Sequence, residues 1–454
     1  MVKKLFLFTA FLVLSSVLLW SQLFVKQDSF VLDQKNVITE VTAYNMTKEE
    51  NDSGQKDEYY TFIFTPWLGQ RDASQKYQVH TFAMIASNWQ NMTGQPLCLA
   101  TQTSVEHLHW LADVVTHWCG PISVSIFAPD LDYQIAEAYI SYLRKCFSDI
   151  NSQVSLHIIY PIDFPPINSS DFNEGLRKLI PKTCSFNHHQ VLDKMLQKRP
   201  QNMFLWREKL PYPQNILRNI ARKTCPNQYF VCPDIDMIPT SKVVCDKLNK
   251  FLENPQQKSC LKCAYVIPVY EISSNVTRIP YNKTELTKMV KQRNARVFHS
   301  NVFWRNQWLS NLSYWENQKE SSKMSVSYDA GKYSFWYEPI YVAQTSAPLY
   351  DERFIGYGLT RNTQIYEMYL DGWSFKILNN IFLVHWGFQN RSSQSALRKK
   401  QAFDNFAVFK DFLREKSVKY DKDPLNLLQM YEKMNVRIKL QNLNVTESEN
   451  IILT

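Results

Sequence analysis

Residues 104–129 read SVEHLHWLADVVTHWCGPISVSIFAP, and this stretch indicates the fold class. Its first part repeats apolar residues at helical spacing, which predicts a helix that ends before the Gly-Pro pair at 120–121. The following ISVSIFAP (122–129) is typical of a strand. The same succession returns in QIAEAYISYLRKCF (134–147) and VSLHIIYP (154–161). Strands that alternate with helices predict a parallel sheet covered by helices on its faces, which is an α/β fold.

The composition is that of a globular protein. Of the 454 residues 45% are hydrophobic and 20% are charged, which excludes a mostly disordered chain. Only 10 residues are glycine, which excludes collagen-like and Gly-rich sequences. The net charge is 51 − 42 = +9, but no run of five Lys or Arg occurs. A nucleic-acid partner is therefore not indicated.

The N-terminus predicts a membrane anchor. Lys3 and Lys4 precede an uncharged run of 21 residues, 5–25, which at ~1.5 Å per residue spans about 31 Å, the core of a bilayer. The alternative, a cleaved signal peptide, has a shorter apolar region that ends in small residues, whereas this run ends in large ones. The positive-inside rule places the tail 1–4 in the cytosol, which gives a single-pass type II topology with a lumenal body.

The rest of the chain divides by composition into a polar stem at 26–58, a folded lumenal domain at 59–440 and a tail at 441–454. Lumenal location predicts N-glycosylation at the N-x-S/T sequons. These are Asn45, Asn51, Asn91, Asn168, Asn275, Asn282, Asn311, Asn390 and Asn444. There are nine cysteines, so at least one remains outside intramolecular disulfides. Cys260 and Cys263 form a lone CxxC, which lacks the second pair of a zinc site and is better interpreted as disulfide partners.

The short motif that carries most chemical information is Asp234-Ile235-Asp236 within NQYFVCPDIDMIP (227–239), an apolar run predicted as a strand. Alternation along a strand would place both carboxylates on one side, so that both could reach one ion. Ligands of open α/β sheets bind beyond the carboxyl ends of strands, and carboxylates suit Mg²⁺ or Mn²⁺. Such a cation could bridge the phosphates of a nucleotide-sugar. The alternative is a pair of turn or helix-capping aspartates before Pro239.

A second group of candidates lies in residues 348–388. Gly356 and Gly358 permit a close approach of the backbone. After the helix that follows, an apolar run leads to His385, whose neutral imidazole could complete a carboxylate-bound metal site. The alternative for His385 is a histidine packed in the core.

With these motifs the chain resembles the glycosyltransferase family that includes β-1,4-glucuronyltransferase 1 and the C-terminal domain of the LARGE xylosyl- and glucuronyltransferases. The resemblance lies in residues 99–129, 212–239, 264–271 and 350–388. It implies a GT-A type fold, a Rossmann-like mixed sheet flanked by helices, in a Golgi membrane enzyme with a UDP-sugar donor and Mn²⁺ or Mg²⁺. By motif position it implies that Asp234 and Asp236 are the DxD metal ligands and that His385 is a later metal ligand.

The chain also departs from the family pattern. Cys232 and Pro233 interrupt the strand just before Asp234, and Pro233 removes a ladder donor, which predicts an edge or a bend. Trp386 follows His385 where a basic residue is frequent in the family.

The resemblance implies a β-linked product and hence inversion, in which a carboxylate takes the proton of the attacking acceptor hydroxyl. Residues 359–361, after the Gly-Tyr-Gly turn, hold no carboxylate, so Asp351 and Glu352 are the nearest candidates for the catalytic base. Both could instead cap a turn or pair with Arg353 or Arg361. Arg361 is a candidate for binding the donor, because its planar fork suits a sugar carboxylate or a diphosphate.

The resulting hypothesis is a metal-dependent Golgi glycosyltransferase that moves a sugar from a UDP-sugar to a glycan or glycoprotein acceptor with inversion. Glucuronic acid is the first choice of donor sugar, with N-acetylglucosamine or xylose next. One alternative is a catalytically silent relative that binds glycans or assists a partner enzyme, in the manner of a chaperone. Another, a membrane-anchored hydrolase, would need a G-x-S-x-G elbow or an H-E-x-x-H helix, and the chain has neither.

Overall fold

The computed structural model describes residues 60–62, 69–321, 323–390 and 396–431. The expected cytosolic tail (1–4), membrane anchor (5–25), stem (26–58) and C-terminal tail (441–454) lie outside the described residues. Within the described part, no helix is both long and apolar enough to cross a bilayer.

The elements are numbered in chain order. The strands are β1 (Gly69–Arg71), β2 (Tyr77–Met84), β3 (Leu97–Ser104), β4 (Ile122–Phe127), β5 (Val154–Pro161), β6 (Tyr229–Val231), β7 (Met237–Pro239), β8 (Cys263–Ile267), β9 (Val269–Ile272), β10 (Ala295–Val297), β11 (Val326–Asp329), β12 (Ile340–Gln344), β13 (Ser374–Leu378) and β14 (Leu383–Trp386). The α-helices are α1 (Trp110–His117), α2 (Asp132–Cys146), α3 (Ser148–Gln153), α4 (Ser170–Arg177), α5 (His188–Leu196), α6 (Gln201–Arg207), α7 (Gln214–Lys223), α8 (Lys242–Leu252), α9 (Pro255–Ser259), α10 (Lys283–Lys291), α11 (Ser300–Phe303), α12 (Leu312–Asn317), α13 (Asn362–Leu370) and α14 (Ala396–Tyr420).

Ten strands form one mixed sheet in the order β1-β2-β5-β4-β3-β6-β12-β8-β13-β11. Its centre, β5-β4-β3-β6, is parallel, as the alternation of strands and helices predicts. Every residue of β4 is buried, because helices cover both faces of a parallel sheet. The predicted strands at 122–129 and 154–161 are confirmed as β4 and β5, and the predicted mixed sheet flanked by helices is present in the described residues.

A second sheet of four strands has the order β10-β9-β14-β7. Three stretches of chain run directly from the large sheet into this small sheet, as β6 to β7, β8 to β9 and β13 to β14. Pro268, which cannot donate a ladder hydrogen bond, separates β8 from β9. The two sheets are therefore joined by three short connections. Asp234 and Asp236 lie in the connection between β6 and β7.

One of these connections corrects the expected setting of the two aspartates. The prediction of a single strand over 227–239 is wrong, because β6 ends at Val231 and β7 begins at Met237. Asp234 and Asp236 lie in the connection, where the backbone N–H of Met237 donates to the carbonyl of Asp234 at 2.9 Å and closes a turn. The interruption of the strand expected at Pro233 is present, because β6 ends at Val231, two residues earlier, and Pro233 has no N–H to donate.

Four disulfides join the described residues. They are Cys98–Cys225, Cys119–Cys245, Cys146–Cys184 and Cys260–Cys263. The CxxC is thus a disulfide, as interpreted from its lone spacing. Cys232 is the free cysteine and is buried. Disulfides form and persist in oxidising compartments.

Candidate active site

The connection between β6 and β7 is held on two sides by hydrogen bonds to its backbone. The hydroxyl of Thr101, in β3, donates to the carbonyl of Pro233 at 3.0 Å. The Nη1 atom of Arg361, just before α13, donates to the carbonyl of Cys232 at 2.9 Å. These contacts fix the positions from which the side chains of Asp234 and Asp236 project.

The carboxylate of Asp234 is bound through one of its two oxygens. Its Oδ1 accepts from Arg218 Nη2 at 3.0 Å, from Arg361 Nη2 at 2.8 Å and from Gln102 Nε2 at 3.3 Å. Oδ2 has no hydrogen-bond partner within the described residues. Burial alone would raise the pKa of Asp234, but Arg361 and Arg218 hold it well below its usual range. Asp234 is therefore an anion with one oxygen available to a ligand, and 33% of its side chain is exposed.

Asp236 and His385 lie side by side although they are far apart in sequence. β14 pairs antiparallel with β7, which begins one residue after Asp236, and His385 is opposite Met237. His385 Nε2 lies 3.4 Å from Asp236 Oδ2. The Nδ1 atom of His385 donates to the carbonyl of Gly387 at 3.0 Å, so Nε2 is the nitrogen that points to Asp236. Burial lowers the pKa of His385, but the hydrogen bond and charge of Asp236 outweigh it and the pKa is raised.

A buried carboxylate supports His385 from the neighbouring strand. Glu271 in β9 is opposite His385 in the parallel pair β9–β14 and is fully buried. Its carboxylate accepts from Arg296 Nε at 2.7 Å and from the backbone N–H of His299 at 3.0 Å. The ring of Phe298 lies 5.5 Å from the His385 ring. The same ion pair holds the chain just after β14, because the N–H of Gln389 donates to Glu271 Oε2 at 3.2 Å and Arg296 Nη2 donates to the carbonyl of Gln389 at 2.6 Å.

The donor set fits a divalent cation of the hard or borderline type. Two carboxylates and one imidazole are ligand types that Mn²⁺ accepts. A metal-bound histidine commonly donates its other ring N–H to a carbonyl, which is the arrangement of His385 and Gly387. The facing pair Asp236–His385 supplies two of these ligand atoms, 3.4 Å apart. Oδ2 of Asp234 is the third candidate, but the ligand atoms of Asp234, Asp236 and His385 do not all lie within 4.8 Å of one another; among the described residues that spacing is found for Asp113, His188 and His189.

The two candidates for the catalytic base lie on the segment before α13, and each has a partner. Asp351 forms a two-pronged ion pair with Arg353, with Oδ1 to Nε at 2.9 Å, so the pairing considered as an alternative is present. Glu352 accepts from Asn219 Nδ2 at 2.8 Å. Within the described residues Arg361 contacts neither carboxylate, because its guanidinium forms an ion pair with Asp234.

Several residues at this site could not be identified from the sequence. Arg218 is buried on α7, inside a run whose apolar spacing only indicated a packed helix. Gln102 lies in β3, two residues before its end, and also accepts from the hydroxyl of Tyr212. Glu338 accepts from Asn306 Nδ2 at 2.9 Å, and burial raises its pKa to about 7 against the opposing charges of Arg361 and Arg218. No local spacing connects these positions, so only the folded chain brings them together.

Comparison with known families identifies relatives over most of the folded part. A family model described as a glycosyl-transferase for dystroglycan matches residues 96–421. β-1,4-Glucuronyltransferase 1 of Homo sapiens is 30% identical over 358 residues, which cover 78% of this chain and 82% of that protein. The xylosyl- and glucuronyltransferase LARGE1 of Mus musculus is 22% identical, covering 76% of this chain and 37% of that protein.

Solved structures give a weaker likeness. Residues 1–349 of TarS from S. aureus, in complex with UDP, are 9% identical with a TM-score of 0.34, covering 74% of this chain and 70% of that chain. GalNAc-T7 with UDP, GalNAc and Mn²⁺ is 8% identical with a TM-score of 0.35, covering 85% of this chain and 66% of that chain.

Proposed function

Because the chain belongs to the glycosyl-transferase family for dystroglycan, we propose that it moves glucuronic acid from UDP-glucuronic acid to a glycan or glycoprotein acceptor. The chain is a glycosyltransferase, and the choice of donor sugar is the proposal. The observation that carries it is the arrangement around the β6–β7 connection, where two buried arginines meet at Asp234 and His385 lies beside Asp236. The GT-A type of fold is part of the same proposal.

The metal site consists of Asp234, Asp236 and His385. A Mn²⁺ or Mg²⁺ ion held there would neutralise the charge that develops on the departing UDP. The protein's part is to hold the ligands in place: β7 and β14 pair in fixed register, and Gly387 orients the imidazole. Asp234 contributes Oδ2, because its Oδ1 is occupied by the two arginines.

The two arginines supply the positive charge for the donor. Arg218 and Arg361 are both buried, and their guanidinium groups meet at Asp234. A planar guanidinium binds a carboxylate or a diphosphate through two parallel hydrogen bonds, and both groups are present in UDP-glucuronic acid. Arg361 therefore remains our candidate for donor binding, and the carboxylate of the sugar is the feature that favours glucuronic acid over a neutral sugar.

We assign the reaction an inverting course, in which an acceptor hydroxyl attacks as UDP leaves and a carboxylate takes its proton. Asp351 is the first candidate for that carboxylate and Glu352 is the second. Asp351 would have to exchange its contact with Arg353 for the acceptor hydroxyl, and Glu352 its contact with Asn219.

We place the enzyme in the Golgi membrane, as a single-pass type II protein anchored by residues 5–25 with its catalytic domain in the lumen. The support is the apolar run of 21 residues after Lys3 and Lys4 and the four disulfides of the described residues.

The test is a panel of UDP-sugars offered to the purified full-length chain, with glycan acceptors and with or without Mn²⁺. We expect UDP release from UDP-glucuronic acid that requires both Mn²⁺ and an acceptor. Release from UDP-N-acetylglucosamine or UDP-xylose alone would overturn the choice of donor. Binding of UDP without turnover of any sugar would favour the catalytically silent relative.

A further inference from the structure

An aromatic groove is lined by residues of β10, at an edge of the small sheet, and of β11, at an edge of the large sheet, and it includes none of the candidate metal ligands. Its volume is about 730 Å³, and its lining includes Trp304, Trp308 and Tyr328. The two tryptophans stand edge to face with ring centroids 5.3 Å apart, and 49% of Trp304 and 58% of Trp308 is exposed. Large aromatic side chains normally bury most of their surface, so two exposed indoles in one concave site indicate a ligand.

The polar part of the groove suits a sugar. Gln307, Asp329 and Lys332 line it beside the indoles. One face of a pyranose ring carries C–H groups that pack on an aromatic ring, while its hydroxyls point outward to hydrogen-bonding groups. A groove with an aromatic floor and polar sides offers both contacts, and this combination is typical of ligand sites that fix the orientation of a bound molecule.

The same groove is lined by Asn311, which begins the sequon Asn311-Leu312-Ser313. Asn311 follows Trp308 by three residues, and its backbone N–H donates to the carbonyl of Trp308 at 3.0 Å, closing a tight turn. Its backbone is left-handed with φ 43°, a conformation that asparagine tolerates better than most residues. The turn therefore places an exposed asparagine and the Trp308 indole at the same edge of the groove.

Two other sequon asparagines use their side chains within the fold, whereas Asn311 does not. The side chain of Asn282 accepts from the N–H of Glu285 at the start of α10, and Asn168 accepts from Gln134. Among the described residues the side-chain amide of Asn311 has no hydrogen-bond partner. An oligosaccharide transferase could therefore modify Asn311 without removing a contact of the folded chain.

We propose that Asn311 carries an N-linked glycan and that its first N-acetylglucosamine lies on the face of Trp308, with the following sugars in the groove towards Trp304. The occupant is thus a glycan of the chain itself and not the acceptor. This inference rests on the lumenal location given under the proposed function, which the four disulfides support independently of any activity.

The test uses the full-length chain secreted or retained by a eukaryotic host, with glycan occupancy measured by peptide mass spectrometry and stability by thermal unfolding. The variants are Asn311→Gln, Trp308→Ala and the double variant. Asn275→Gln is the matched control, because Asn275 is an exposed sequon whose third residue upstream is the aliphatic Ile272. UDP binding, measured by calorimetry, reports separately on the donor site.

We expect Asn311 to be occupied and Asn311→Gln and Trp308→Ala each to lower the unfolding midpoint by about 2–4 °C. Trp308→Ala also removes the edge-to-face contact with Trp304, so it should lower the midpoint less in the Asn311→Gln background than in the wild type, because the glycan contact is already lost there. Asn275→Gln should leave the midpoint unchanged, and all variants should bind UDP like the wild type.

Three results would overturn the inference, and they differ in what else they overturn. If Asn275 is occupied and Asn311 is not, the glycan proposal fails alone. If no sequon is occupied, both the glycan proposal and the lumenal location fail. If the wild-type protein does not bind UDP, only the proposed function is refuted. If the two changes add and Trp308→Ala raises the KM for an acceptor glycan without an effect on UDP binding, the groove is an acceptor site.

Discussion

Arg361 Nη2 lies 2.8 Å from Asp234 Oδ1, while Nη1 of the same guanidinium donates to the carbonyl of Cys232. One side chain at the start of α13 thus binds both the carboxylate and the backbone of the connection between β6 and β7. This contact links the chain just after the Gly-Tyr-Gly segment, residues 356–358, to the segment that carries Asp234 and Asp236, over a sequence separation of 127 residues.

Removal of this guanidinium is expected to impair the donor site more than the fold. Arg361→Ala should lower kcat/KM for the UDP-sugar by roughly 10–100-fold, the usual effect of losing a hydrogen bond between charged groups. Arg361→Lys should lower kcat/KM less, because lysine keeps the positive charge although it cannot form the two parallel hydrogen bonds of a guanidinium. Steady-state UDP release and urea unfolding would measure both effects. Arg278→Ala is the control, since its ion pair with Glu285 lies on the surface. Equal kinetics in the Ala and wild-type enzymes would contradict the role.

Metal binding should depend on the facing pair. Asp236→Asn and His385→Ala should each weaken Mn²⁺ binding by at least about 10-fold, since each removes one ligand of the ion. Electron paramagnetic resonance of free Mn²⁺ in the presence of UDP would give the affinity. His117→Ala, at the end of α1, is the control and should bind Mn²⁺ normally. Unchanged affinity in both site variants would place the ion elsewhere.

The candidates for the catalytic base can be separated by isosteric substitution. Asp351→Asn should abolish transfer while UDP and Mn²⁺ still bind, because the amide cannot take the proton of the acceptor hydroxyl. Glu352→Gln should then keep most of the activity. Single-turnover transfer to a glycan acceptor is the measurement. Near-normal turnover by the Asp351 variant together with loss in the Glu352 variant would move the role to Glu352, and activity in both would remove both residues from it.

The stability of the fold should fall as the pH rises from about 4.5 to about 7 because of Glu338. Burial raises its pKa from 4.5 to about 7, so the folded chain retains a proton that the unfolded chain releases. The stability contributed by the neutral form is present below about pH 4.5 and is lost between there and pH 7. Glu338→Gln removes this titration. The difference in unfolding free energy between Glu338→Gln and the wild type should therefore increase in favour of the variant by on the order of 2 kcal/mol between pH 5 and pH 8. Parallel pH profiles of the two proteins would refute the assignment.

The disulfides should differ in their effect on stability according to the length of the loop they close. Cys98–Cys225 joins residues 127 positions apart, whereas Cys260–Cys263 joins residues 3 positions apart. Replacing the first pair by alanine should cost about 2–4 kcal/mol, because a long loop loses the most entropy on closure. Replacing the second pair should cost much less. Urea unfolding of both double variants measures the difference, and equal losses would show that loop length does not decide it.

The order of strands and helices in the first half of the chain could be predicted from local pattern, and β5 begins and ends where the apolar run VSLHIIYP does. The later runs could not be assigned in the same way. Residues 227–239, 263–271 and 375–388 each appear as one apolar stretch, yet each contributes to both sheets. Apolar periodicity reports that a residue is buried, but it does not report which strand lies next to it.

The candidate site shows the same division. The residue types of a metal site are visible in Asp234, Asp236 and His385, and the structure brings Asp236 and His385 together. The ion pairs of Arg218 and Arg361 with Asp234 could not be predicted from a sequence motif, because the partners are 16 and 127 residues apart in the chain. Contacts of this kind depend on the packing of α7 and α13 against the sheet, and packing is a property of the whole chain.

The large and the small sheet are joined by three connections, β6 to β7, β8 to β9 and β13 to β14. The number of residues along these segments therefore constrains the geometry of the site more strongly than the identity of their side chains. In a strand, one inserted or deleted residue turns every later side chain to the opposite face. A single insertion within β14, between Leu383 and His385, would therefore turn His385 away from Asp236. Attempts to change the sugar that this enzyme accepts should vary the side chains around Asp234. They should keep the number of residues from β6 to β7, from β8 to β9 and from β13 to β14 unchanged.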